Sequence, residues 1–317
     1  MNSDKRPDSI SVGIPVLDAA SFLPELARAL ASQKPAPPDE IILIDSGSRD
    51  NTVELAGRHA GMKVVKIAEF SHGGARNTGV HAAKGDIVVL LTQDALPLND
   101  SWLETLVRPL ADREVAGTYS RQTPRDNANP MERFFLDFRF PATGAVRRKR
   151  PGDTTIGYED AFFSNVSAAM RRETLLRFPF DENLIMGEDQ QFARDALNAG
   201  MTIVYQPDSV VIHSHRYSLR QTFKRYFDSV LAFKQIYKGH TLGSSAAMGR
   251  KYVRREFGYI VRRHFRILPY YLLYLLAKAA GALAAHSERL LPNWLAARCS
   301  MNPGFFRRAE RTSNVER

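Results

Sequence analysis

Through the first half of the chain, short apolar runs alternate with stretches whose apolar residues recur at helical spacing. Ile10 to Val16 reads as a strand, and Phe22, Leu26 and Leu30 then fall on one helical face until Lys34-Pro-Ala-Pro-Pro38 interrupts the pattern. Glu40 to Asp45 is a second strand, continuous rather than alternating, as expected where both faces of a parallel sheet are covered. Ser48 or Asp50 caps a helix carrying Val53 and Leu55, Lys63 to Ile67 is a third strand, Gly73 to Ala83 is helical, and Asp86 to Thr92 is a fourth, buried strand. This rhythm predicts an α/β fold with a doubly wound sheet, which binds ligands at the carboxyl ends of its strands. Asp45, Thr92 to Asp94, His213 and His215 all stand at such ends.

Beyond residue 120 the pattern loosens. Residues 121–157, rich in Arg, Pro and Gly and including Arg147-Arg-Lys-Arg150, read as a long mobile excursion. Phe162 to Met170 is strand-like, Asp189 to Ala199 helical, and Thr202 to Tyr205 and Val210 to Ile212 are two short strands. From Leu219 the pattern is helical, with Phe223, Phe227, Val230, Phe233 and Tyr237 on one face. No internal repeat appears. The expected division is a nucleotide-binding domain over 1–215 and a helical, basic extension over 216–317.

Composition sharpens that division. The 317 residues carry a net charge of +10. Residues 1–210 hold 24 basic and 29 acidic side chains, whereas 211–317 hold 20 and 5, so the excess lies in the extension. The composition excludes disordered, collagenous and disulfide-stapled classes, and the single Cys299 fits a reducing compartment. Met1 to Ser9 is polar, which predicts no secretory signal and a cytoplasmic catalytic part.

Four constellations carry candidate chemistry. Asp45-Ser-Gly-Ser-Arg-Asp50 places an acid after a buried strand and before a turn where Gly47 lets backbone amides approach a ligand, though both acids also suit turn and cap roles. Thr92-Gln-Asp94 presents an acid able to hold a hard cation against diphosphate oxygens. Gly187-Glu188-Asp189 opens a helix; its acids either complement the helix dipole or supply a general base. His213 and His215 project to one side of a strand end, a spacing compatible with metal ligation. No G-x-G-x-x-G follows the first strand and no G-K-[ST] occurs, which disfavours a dinucleotide dehydrogenase and a P-loop NTPase.

The ordered set of Pro15, Asp45-Ser-Gly-Ser-x-Asp50, His72-Gly-Gly-Ala-Arg76-Asn77, Thr92-Gln-Asp94-Ala-x-Pro97, Asn165, Gly187-Glu-Asp189 and a late His resembles the inverting glycosyltransferases of family 2, with a GT-A fold, over roughly residues 9–240. The resemblance implies that Pro15, Val16, Asp45, Ser46, Gly47, Arg76, Gln93 and Asn165 contact a nucleotide-sugar donor. It implies a catalytic pair in Glu188 and Asp189, with Asp189 as base, and a divalent cation, Mg²⁺ or Mn²⁺, at Asp94. Thr92 stands where the family's D-x-D motif has its first acid, so His213 or His215 is expected to complete the ligand set. Gln190-Gln191-Phe192 is not followed by Arg-Trp, which points to addition of one sugar rather than processive synthesis. The variants His-Gly-Gly-Ala-Arg-Asn and Leu-Thr-Gln-Asp-Ala-x-Pro are similar to a bacterial rhamnosyltransferase subgroup that uses dTDP-L-rhamnose to build surface polysaccharide.

Ile267 to Ala285 is the most apolar segment, with Lys278 near its middle and Pro269 at its start, a pattern that favours an interfacial or buried helix over a bilayer span. Arg250 to Arg255 and Arg262 to Arg266 interleave cations with aromatics and suit an anionic membrane surface, hence a peripheral protein on the cytoplasmic face of the inner membrane acting on a lipid-linked oligosaccharide. Two rival classes remain. A sugar-nucleotide nucleotidyltransferase would carry a Gly-rich loop where Pro15-Val-Leu-Asp18 stands. A nucleic-acid-binding protein leaves the strand-end acids unexplained, so no nucleic acid is expected as a partner.

Overall fold

A computed structural model of the chain describes residues 8–59, 61–149, 152, 155–237 and 241–308. Most of the polar opening segment, Arg150 of the basic run and the tail from 309 lie outside the described residues. Contacts divide the chain into two compact units, the first formed by 1–126, 136–182 and 188–214, the second by 127–135, 183–187 and 215–317.

In the first unit the chain runs β1 (Ile10–Val16), α1 (Leu23–Ala31), β2 (Glu40–Asp45), α2 (Thr52–Gly57), β3 (Met62–Lys66), α3 (His72–Ala82), β4 (Ile87–Leu91), β5 (Leu96–Pro97), α4 (Trp102–Val107) and β6 (Val115–Thr123). A helix, α5 (Pro130–Arg139), bridges the unit boundary. The first unit then continues with β7 (Val146–Lys149), β8 (Ser167–Arg171), α6 (Arg172–Arg177), α7 (Glu188–Asn198) and β9 (Thr202–Ile212). The sheet order is β3-β2-β1-β4-β8-β6-β9-β5, with β7 beside β9; β3, β2, β1 and β4 run parallel, and β8 is antiparallel to both β4 and β6. Successive residues of β4 explain why its apolar run does not alternate. Val88 and Leu90 join one buried cluster, with Ile42 and Ile44, while Ile87, Val89 and Leu91 join another, with Val12 and Ile14. Both faces of the sheet are therefore dry.

Three sequence expectations are corrected. The excursion over 121–157 holds the end of β6, α5 and β7. Asn129 caps α5, its Oδ1 accepting from the Glu132 amide at 2.9 Å, and Pro130 occupies the first helical position, where its missing N–H costs nothing. The strand read over 162–170 begins only at Ser167. The two short strands after residue 201 form one, β9, whose pairing with β6 shifts register between Ser120 and Arg121.

The second unit holds α8 (Leu219–Ile236), α9 (Leu242–Arg263), α10 (Leu268–His286) and α11 (Asn293–Cys299). Ser218 and Gln221 close a capping box at the start of α8. Phe227, Val230, Leu231 and Ile236 pack with Ala285, Ala296 and Phe306. Phe265–His286 is long and apolar enough to cross a membrane by length and composition.

Candidate active site

Parallel strand ends gather the site in the first unit. Val16 and Asp45 are paired across β1 and β2, and the Ser46 N–H and hydroxyl both donate to the Val16 carbonyl, at 3.1 and 3.0 Å. Asp45 is buried, and its Oδ1 accepts from the Ser48 amide at 3.0 Å, a turn that Gly47 permits at φ +99°. Asp50 accepts from the Ala20 and Thr52 amides, both at 3.0 Å, which ties the loop after β1 to the loop after β2. Gln93, just after β4, grips the backbone of Leu17: its Oε1 accepts from the Leu17 amide at 2.8 Å and its Nε2 donates to the Leu17 carbonyl at 3.1 Å. The amide of Gln93 thus joins two strand ends and holds the Pro15 to Leu17 backbone in place.

The His72-Gly-Gly-Ala-Arg76-Asn77 run is the first turn and a half of α3. Its N-cap Ser71 accepts from the Gly74 amide. A Cβ on Gly73 would lie 2.6 Å from the Asp181 carbonyl oxygen, so only glycine lets the 180–182 segment approach. Asn77 fastens that segment: Nδ2 donates to Phe180 O and Glu182 Oε1, both at 2.9 Å, and Oδ1 accepts from the Phe180 amide at 3.1 Å. Gln191 on α7 accepts from the Asp181 amide at 2.9 Å. Two motifs more than 100 residues apart are stitched together through this segment, and the sequence offered no signal for either clamp.

At the centre lie Arg76, Glu188 and Asp189. Arg76 and Glu188 are buried and paired, Nη1 to Oε1 at 2.9 Å, and the same Nη1 donates to the His72 carbonyl. Burial works to raise the Glu188 carboxyl, but the Arg76 charge, with His72, more than offsets it and holds Glu188 below its usual range. Asp189 has no ion-paired cation among the described residues, and the Arg76 charge lowers it less than its surroundings raise it. Burial, and then the neighbouring Glu188 charge, raise it from 3.8 to about 7. Among the described residues its oxygens accept from backbone N–H groups, of Asn165 at 3.3 Å and Gln190 at 2.9 Å, and the residue is largely buried. Arg76 Nε and the Asn165 Oδ1 are buried with no hydrogen-bond partner among the described residues, which marks a site built to receive polar groups from outside, while the Asn165 side chain also helps to hold the Glu188 charge.

Asp94 and His213 form the second cluster. His213 sits just past β9, buried, with Nδ1 2.9 Å from Gln122 Oε1, while the Gln122 Nε2 donates to Ser164 at 3.0 Å. That chain makes Nδ1 the protonated nitrogen, so Nε2 turns a lone pair toward Asp94 Oδ2, 3.6 Å away. Two acceptors facing each other suit a divalent cation, and a protein amide behind the imidazole is the usual orienting partner of a ligating His. Arg125 Nη2 donates to the Asp94 carbonyl at 2.5 Å, fixing the strand end from behind. Thr92, in the place of the missing acid, leaves a buried Oγ1 without a partner among the described residues. His215 opens the second unit, where its amide donates to Glu132 at 3.1 Å and its ring stacks on Tyr217.

Comparison with known proteins agrees with this architecture. Residues 11–177 match the family described as Glycosyl transferase family 2. The chain is 31% identical over 314 residues to the O-antigen chain rhamnosyltransferase RfbN of Salmonella typhimurium strain LT2, covering 97% of this chain and 99% of that protein. It is 32% identical to the O-antigen chain rhamnosyltransferase WbaN of Salmonella anatum, covering 88% and 90%. Among solved structures, the mannosyltransferase PcManGT from Pyrobaculum calidifontis in complex with GDP-Man and Mn²⁺ shares the fold, with a TM-score of 0.62, 20% identity and 88% of each chain covered. The chain belongs to glycosyl transferase family 2 and is a glycosyltransferase of the GT-A fold.

Proposed function

We propose that this chain transfers one L-rhamnosyl residue from dTDP-L-rhamnose to a hydroxyl of a lipid-linked glycan, with inversion, in the synthesis of bacterial surface polysaccharide. The sugar is favoured by the two Salmonella rhamnosyltransferases, whose similarity runs through both units. The chemistry rests on one observation: Arg76 is ion-paired with Glu188, which leaves Asp189 as a largely buried carboxylate that the Arg76 charge offsets only in part.

In this reading Asp45, Ser46 and Gly47, with the backbone of Pro15 and Val16 held by Gln93, form the nucleoside end of the pocket. The unpartnered Arg76 Nε faces the diphosphate and the Asn165 amide takes sugar hydroxyls. Asp189 accepts the proton of the acceptor hydroxyl as its oxygen bonds to the anomeric carbon. The bond from that carbon to the diphosphate oxygen breaks on the opposite face, and the electron pair leaves with the nucleotide. A pKa near 7 matches a base that must hold and release one proton at neutral pH. Asp94 and His213, with His215 two residues on as a third ligand, would hold Mg²⁺ or Mn²⁺, which supplies positive charge against the departing diphosphate. The 1–215 part is the catalytic domain and 216–317 the membrane-associating extension, on the cytoplasmic face of the inner membrane.

A donor screen tests the reading. Thermal shift and donor hydrolysis are measured with dTDP-, UDP- and GDP-sugars, each with and without Mn²⁺ or Mg²⁺. A response specific to dTDP-rhamnose supports it, and one specific to a GDP-sugar overturns the donor.

A further inference from the structure

Helix α10 is inside-out. Its inward stripe, Tyr271, Lys278, Gly281 and Ala285, includes the one charged residue of the helix apart from the terminal His286. Lys278 is only 6% exposed, and its Nζ lies 3.1 Å from Oε2 of Glu256, which is fully buried on α9. Tyr252 and Tyr271 donate to the same carboxylate at 2.8 and 3.0 Å, and the Tyr274 ring lies 4.3 Å from the ammonium. On the other side Leu272, Leu273, Leu276 and Leu283 are 48, 52, 65 and 52% exposed. A helix that hides its lysine and displays its leucines has the polarity expected where the surrounding medium is apolar.

From this polarity, and building on the reading of a membrane-linked acceptor, we infer that α10 lies in the plane of an anionic bilayer with its leucine face immersed, and does not span it. Two observations exclude the span. The backbone of α10 is pressed onto α8, where a Cβ on Gly281 would lie 2.2 Å from the Phe223 carbonyl oxygen. That neighbour carries Lys224, Arg225, Asp228 and Lys234, which have no place in a hydrocarbon core. One observation selects lipid over a second copy of the chain. Residues 241–308 contain twelve Lys and Arg against two acids, one of them the buried Glu256, so a copy would bring cations face to face, while acidic head groups attract them. On α9 the exposed Phe257 and Val261 follow Arg254 at helical spacing with Arg262 beside them, an apolar stripe edged by cations as in interfacial helices.

The test uses the full chain and vesicles of phosphatidylcholine with or without phosphatidylglycerol, at about 0.15 M salt. Trp294 is 60% exposed and Trp102 fully buried, so a blue shift on binding reports Trp294. Co-sedimentation with the anionic vesicles, release of the bound protein by alkaline carbonate, and a loss of about 100-fold in partitioning for L272Q/L273Q/L276Q are expected. Retention after carbonate contradicts the in-plane arrangement. Unchanged partitioning of the triple variant, or a dimer that the triple substitution dissociates, contradicts the lipid face. A wild-type chain that turns over nucleotide sugar but does not bind the anionic vesicles overturns this docking face alone; a wild-type chain that binds them without such turnover overturns the enzymatic reading alone.

Discussion

Each unit buries a cluster of charge, around Arg76 in the first and Lys278 in the second, and the two are built in opposite ways. In the second unit Lys278 and Glu256 are one cation and one anion, and tyrosine hydroxyls satisfy the remaining carboxylate lone pairs. Burial and then the Glu256 charge push the Tyr252 phenol well above its usual value, so it stays a donor. In the first unit two carboxylates share one guanidinium, and Asp189 is left over. A closed set of partners gives a structural lock; an open set gives a group that takes up a proton near neutral pH.

Breaking each pair on its cation side separates these roles most sharply. Arg76→Met leaves Glu188 buried and uncompensated; a loss of roughly 3–5 kcal/mol in urea unfolding is expected, together with loss of glycosyl transfer. Lys278→Met is expected to lose a similar 3–5 kcal/mol or so while transfer per folded molecule stays unchanged. If both variants lose chemistry alike, the contrast between lock and reactive site fails. At the Asp94–His213 site, chelation is expected to abolish transfer and added Mn²⁺ to restore it. Gln122→Leu, which removes the amide behind His213, is expected to raise the Mn²⁺ needed for half-maximal rate about 10- to 100-fold.

A smaller effect concerns stability against pH. Asp189 has a higher pKa folded than unfolded, so from the ordinary carboxylate range up to about 7 the native state binds more protons than the unfolded chain. The contribution of Asp189 to stability therefore falls as pH rises through that window. Asp189→Asn is expected to unfold later than the wild type at pH 8 by roughly 1–4 kcal/mol, with the advantage vanishing toward acid pH. Gly73→Ala, whose new Cβ meets Asp181 O at 2.6 Å, is expected to cost about 1–3 kcal/mol.

How far the sequence reveals these features depends on the range of the interactions. The parallel half of the sheet is legible because β2 and β4 are apolar on both faces and β1 carries Ile10, Val12, Ile14 and Val16 on one. The acids at strand ends followed from the same pattern. Helix α5 is hidden in the sequence although Asn129-Pro130 is a start signal, because the surrounding Arg, Pro and Gly suggest a loop. Strand β6 was obscured by Gly117, Thr118 and Ser120, polar or small residues buried here by neighbouring strands. Gln122, Ser164, Asn77 and Gln191 act through contacts that no local pattern encodes. Lys278 reads in the sequence as a charge that opposes a bilayer span; its partner Glu256 lies 22 residues upstream, out of reach of local pattern, and the pairing turns the leucines outward.

The central claim, that Asp189 is the base because Arg76 is engaged by Glu188, is tested most directly by Asp189→Asn with transfer and donor affinity measured together at pH 7.5–8. Transfer lowered by about 10³-fold or more, with donor affinity within about threefold of wild type, is the predicted result. Transfer surviving within about tenfold of the wild-type rate would contradict it.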